Sequence, residues 1–74
     1  MQIITGAALR EALEGCSWQE LDDLMDVSVR KLDIEQSEAI VTEMECRGRG
    51  VPEGVLTHAL RSLRHARLAL TRSH

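Results

Sequence analysis

VPEGVLTHALRSLRHARLAL, residues 51–70, carries the strongest helical pattern in the chain. At 100° per residue, Val55, Leu56, Ala59, Leu60, Leu63, Ala66 and Leu70 fall within an arc of about 140°. His58, Arg61, Arg64, His65 and Arg72 fall outside it. Leu, Ala and Arg dominate the stretch, and all three are good helix formers. Pro52 suits a first turn, where its missing N–H costs nothing. Glu53 favours the positive end of the helix dipole, and Arg67 and Arg72 sit near the negative end. Two residues break the pattern. Arg67 lies inside the apolar arc, where its stem is expected to cover apolar surface while its head reaches water. Leu68 stands on the basic face. These two misfits mark where a second contact surface would begin.

Working outward, Arg47-Gly48-Arg49-Gly50 is a Gly-rich connection into this helix. It follows no strand and lacks the GK[ST] ending of a phosphate loop, so it reads as a plain loop. Before it, Asp33 can cap a helix, with Gln36 as capping-box partner, that runs to about Arg47 and stops at Gly48. Ile34, Ser37, Ile40, Val41 and Met44 make its narrow buried stripe. Further back, Ser17 and Glu20 form a capping box at the start of a helix over about 18–31. Its apolar face collects Trp18, Leu21, Leu24, Met25, Val29 and Leu32, with Asp22, Asp23 and Asp26 opposite, where they are expected to be solvated. Between Leu32 and Ile34 there is no strong breaker, so one bent helix is the alternative. Thr5 caps a short helix over 6–14 that buries Leu9 and Leu13, and Gly15 suits a left-handed stop. Residues 1–4 and 71–74 are expected to fray.

The pattern is all-α: one domain over residues 1–74, a small bundle of three to four helices with a long C-terminal amphipathic helix. A chain of 74 residues with no Phe or Tyr and one Trp has a thin core. Thin cores gain from self-association, so a homodimer is expected, with Leu24, Met25, Leu56, Leu60, Leu63 and Leu70 as its core and dimer residues. No apolar run is long enough to span a membrane. Cys16 and Cys46 fit no CxxC or zinc spacing, and with no signal peptide visible they suggest a reducing cytoplasm.

The net charge of −3 hides an asymmetry. Residues 1–46 carry eleven acids and three bases, a net of −8, and residues 47–74 carry six arginines and one acid, a net of +5. Such a split suits packing of the two parts on each other, within one chain or between two, better than a nucleic-acid tail. No catalytic constellation is visible. His58 and His65 lie seven apart on the outer, basic face of one helix, and nothing in the sequence brings a thiol to them. The chain is therefore expected not to be an enzyme and to need neither cofactor nor metal.

WQELDDLMDVSVRKL, residues 18–32, resembles the helix-turn-helix core of bacterial repressors. Leu21, Leu24, a Val27-Ser28 turn and Leu32 match the apolar and turn positions. The resemblance implies DNA binding, less favoured because Asp22, Asp26, Asp33 and Glu35 bring acid where phosphate would lie. The favoured expectation is a regulator or adaptor, an inhibitor or chaperone-like subunit, that binds another protein. Small phage or plasmid regulators are the analogy for it. Arg61, Arg64, Arg67 and Leu68 are the expected partner contacts.

Overall fold

The computed structural model describes residues 6–72. Four α-helices account for nearly all of them: α1 (Gly6–Glu14), α2 (Trp18–Arg30), α3 (Ile34–Arg47) and α4 (Glu53–Arg72). A single 3₁₀ turn, Gly48–Gly50, leads from α3 towards α4. There is no strand among the described residues. Residues 1–4 and the Thr5 cap lie outside them, as do residues 73–74.

Each helix start follows from a local hydrogen-bond economy. The Ser17 Oγ accepts the Glu20 N–H at 3.2 Å, and the Glu20 carboxylate accepts the Ser17 N–H at 3.1 Å, which completes the box expected from sequence. The backbone bond, and then the Ser17 hydroxyl, hold the Glu20 carboxyl below its ordinary pKa. At α3 the Asp33 carboxylate accepts the Gln36 N–H at 3.1 Å. The reciprocal half of that box is missing because the Asp33 N–H is already bonded to the Ser28 carbonyl at 2.9 Å. The Pro52 carbonyl accepts from Val55 and Leu56 to open α4.

The helix stops depart more from expectation. Gly15 does not adopt a left-handed conformation; the described positive-φ positions are Gly48 (φ 55°) and Leu32 (φ 56°). Leu32 separates α2 from α3, so the bent-helix alternative fails. Its N–H bonds to the Val29 carbonyl at 3.0 Å, and the next N–H, of Asp33, bonds five residues back to Ser28. That paired closure is the Schellman arrangement, with leucine where glycine is usual. A left-handed leucine costs roughly 1–2 kcal/mol, offset here by two satisfied carbonyls and by partial burial of its side chain.

α2 is continuous from Trp18 to Arg30, with Val27 and Ser28 inside it. The helix-turn-helix reading of residues 18–32 thereby loses its turn. Ser28 is buried rather than exposed at a bend, and its hydroxyl donates to the Leu24 carbonyl at 2.8 Å. Ser37 is buried in the same way, donating to Asp33 at 2.8 Å. α4 also continues past the expected end, and the Thr71 hydroxyl donates to the Arg67 carbonyl at 2.9 Å.

α2 packs on α3 and α4, α3 on α4, and α1 chiefly on α3. One cluster joins them: Leu13, Leu21, Met25, Ile40, Val41, Met44, Val51, Ala59 and Leu63. Trp18, Leu24, Val29, Ile34, Val55 and Leu56 pack around it, partly buried. The Cα atoms extend 37 × 36 × 16 Å, a slab about two helix layers thick. A slab this thin leaves each helix a broad outward side.

Candidate interaction surface

α4 has three sides. Ala59, Leu63 and Ala66 form its buried side. The two alanines place little bulk where the helices meet, and Leu63 enters the common core. Polar pairs flank it: His58 Nε2 lies 3.9 Å from Asp26 Oδ1 of α2, and Arg67 Nη2 forms an ion pair at 3.1 Å with Glu38 Oε2 of α3. The acidic and basic parts of the sequence therefore meet within one chain. Arg67 neither snorkels freely nor waits for a second molecule.

The third side points outward. Arg61, Arg64, His65, Leu68 and Arg72 share an arc of about 100° at helical spacing, and all are exposed. Arg61, Arg64 and Arg72 have no acidic partner among the described residues. Leu68, 47% exposed, sits in their midst. Arg64 precedes it by one turn and Arg72 follows it by one turn, so their stems border the leucine. An apolar centre ringed by uncompensated guanidinium groups suits an acidic, partly apolar surface.

The residues expected to form the core or a dimer seam divide. Met25 and Leu63 are buried, and Leu24 and Leu56 are half-buried. Leu60 and Leu70 stay 44% and 39% exposed. Leu70 lies on the same side as Leu63, two turns on, yet the chain has nothing to place beneath it. Leu60 sits towards α3, beyond the edge of the contact that Ala59 makes. Of the four expected partner contacts, the structure brings Arg61, Arg64 and Leu68 onto one free face and assigns Arg67 to Glu38.

A second feature escaped the sequence. A groove of about 240 Å³ runs between α1 and α3, with Leu9, Leu13 and Ala39 for its apolar lining and Glu35, Thr42 and Cys46 among its walls. A shallower extension, lined by Leu9, Asp33, Glu35 and Gln36, continues it. Arg47 keeps α1 in place beside this groove. Its Nε donates to Glu43 at 2.9 Å, and its Nη2 donates to the Leu13 carbonyl at 2.9 Å and, more weakly, to that of Glu14 at 3.4 Å. These carbonyls lie at the C-terminus of α1, where that of Leu13 also accepts the Cys16 N–H at 3.0 Å, so a half-buried cation there adds hydrogen bonds and serves the helix dipole. Glu43 and Arg47 stand four apart, a spacing visible in sequence. The reach from Arg47 to residue 13 is long-range and left no sequence signal.

Among the described residues, no three His, Cys, Asp or Glu side chains come together in a way that could hold a metal ion. No helix among them is long and apolar enough to cross a membrane. Both cysteines are free, Cys16 half-buried and Cys46 exposed. Compared with known proteins, the chain matches no family model, no curated protein and no solved structure at a significant level.

Proposed function

We propose that this chain is a protein-binding regulator or adaptor that works as a homodimer and presents the outer face of α4 to its partners. One observation carries the reading: Arg61, Arg64 and Arg72 surround an exposed Leu68 and have no acidic partner among the described residues. A purely solvated face has no use for the leucine. A phosphate-binding face would use the arginines alone. Both together suit a protein surface with an apolar anchor and an acidic rim.

Duplex DNA is the rival ligand for the same guanidinium groups. The acidic helices weigh against it. α2 carries Glu20, Asp22, Asp23 and Asp26, and α3 carries Glu35, Glu38, Glu43 and Glu45. A duplex lying along α4 would bring its phosphates near several of these.

The test is affinity capture compared between the wild-type chain and Arg61→Glu/Arg64→Glu, with duplex DNA titrated in parallel. Retention of one dominant protein by the wild type and its loss in the charge-reversed variant supports the proposal. Duplex binding whose affinity falls steeply with salt, without such a protein, replaces it with the nucleic-acid reading.

A further inference from the structure

The described residues leave two surfaces uncovered. One is the outer face of α4, where Leu68 is exposed among Arg61, Arg64 and Arg72. The other is the α1–α3 groove, with its apolar lining of Leu9, Leu13 and Ala39, with Asp33 and Glu35 at its edge and with Arg10 also in its wall. We infer that the two are complementary halves of one interface: the Leu68 face of α4 docks in the α1–α3 groove of a second copy of this chain.

Size, charge and connectivity support the pairing. An apolar cavity of about 150 Å³ accepts a benzene-sized group, so a 240 Å³ groove has room for the leucine and part of a bordering arginine stem. The charges match without breaking anything already made. Glu35 has no ion pair among the described residues, and neither do Arg61, Arg64 and Arg72. Glu43 is excluded from the match because it is held by Arg47. Within one chain the two surfaces are not in contact: α4 packs on α2 and α3 through its Leu63 side, and Leu68 stays exposed. Two copies can exchange them reciprocally, each giving one face and one groove. Where both contacts form between the same two copies the assembly closes as a dimer, whereas one contact per pair would grow head to tail.

The inference rests on the homodimer reading and names a second copy of the chain as the occupant of the α4 face, which is then open to another protein only in the monomer. The test is sedimentation equilibrium of the full chain from low micromolar to hundreds of micromolar. The variants are Ala39→Trp, which fills the groove, Glu35→Arg, which reverses its edge, and Arg61→Glu/Arg64→Glu. Circular dichroism melts check folding, and the exposed Glu35→Arg and Arg61→Glu/Arg64→Glu variants serve even where Ala39→Trp disturbs α1. The wild type is expected to dimerise and each variant to raise the dimer dissociation constant at least tenfold. Mixing Glu35→Arg with Arg61→Glu/Arg64→Glu is expected to recover much of the loss as a heterodimer, because both reciprocal contacts then pair opposite charges. A dimer whose affinity is indifferent to all three variants overturns this inference and leaves the homodimer standing. Weakening by every single variant with no recovery on mixing overturns the assigned pairing of Glu35 with the arginines. A chain that stays at 8.3 kDa throughout overturns both.

Discussion

The inner and outer sides of α4 each carry a leucine, and the two leucines do opposite things. Leu63 on the inner side is 5% exposed; Leu68, five residues on, is 47% exposed. Both are leucines in the same regular helix, and intrinsic helix propensity treats them alike. What separates them is half a turn of rotation and the presence of α2 and α3 on one side only. The inner side gains its energy from burial, at about 25 cal/mol per Å² of apolar surface. The outer side leaves that energy available to another molecule.

The contrast predicts a graded series. Leu63→Asp sets an unpaired charge in the common core and is expected to cost more than about 3 kcal/mol. For a 74-residue domain that is most of the available stability, and the cooperative melt by circular dichroism should vanish. Arg47→Ala removes the cation from the end of α1 and takes from the Leu13 carbonyl one of its two hydrogen bonds, at about 1–1.5 kcal/mol. Urea denaturation should show the loss, and amide exchange should show it concentrated in α1. Comparable protection of α1 in the variant would mean that Leu9 and Leu13 dock it unaided. Arg67→Ala tests a flank. With Arg67 and Glu38 side chains 55% and 51% exposed, the loss should stay below about 1 kcal/mol and shrink as salt rises. Leu68→Ser closes the series. Its melting midpoint should differ little from wild type, within about 0.5 kcal/mol, while self-association or partner capture weakens. A clear loss of stability instead would place Leu68 in an intramolecular contact and erase the difference between the two sides.

The two left-handed helix ends show why sequence reading succeeds at one stop and misses another. Gly48 (φ 55°) ends α3 as expected, because glycine pays no Cβ penalty there. Leu32 reaches φ 56° with a side chain that disfavours it. No local preference announces that stop. It exists because α2 and α3 must turn to bury Met25, Ile40 and Met44 in one cluster, and the bonds to Ser28 and Val29 compensate for the strain. Gly15 is the converse case, a suitable residue at a helix end that is closed without a left-handed turn. The Leu13 carbonyl there accepts the Cys16 N–H at 3.0 Å and the Arg47 guanidinium at 2.9 Å.

The candidate site was legible in the same uneven way. Periodicity placed Arg61, Arg64 and Leu68 on one face of the last helix, since that depends only on 3.6 residues per turn. It also grouped Arg67 with them as a partner contact and placed Leu60 and Leu70 in the seam. Their surroundings depend on which neighbours lie alongside, and the spacing of one helix does not contain that information. The α1–α3 groove was invisible for the same reason. Its lining comes from positions about thirty residues apart, joined only when Arg47 draws the end of α1 against α3.

By itself, then, the sequence determined an all-helical chain of three to four helices, the Ser17 and Asp33 caps, the inner stripe of α4 and the separation of acid from base along the chain. These follow from short-range rules of capping, periodicity and charge. Tertiary structure alone decided that opposite charges meet within one molecule, at Glu38 and Arg67, and that His58 lies beside Asp26. It also decided that Leu32 takes the strained turn, and that three arginines and a leucine are left facing outward. Those outcomes depend on which surfaces the packed helices use up, and packing is a property of the whole slab.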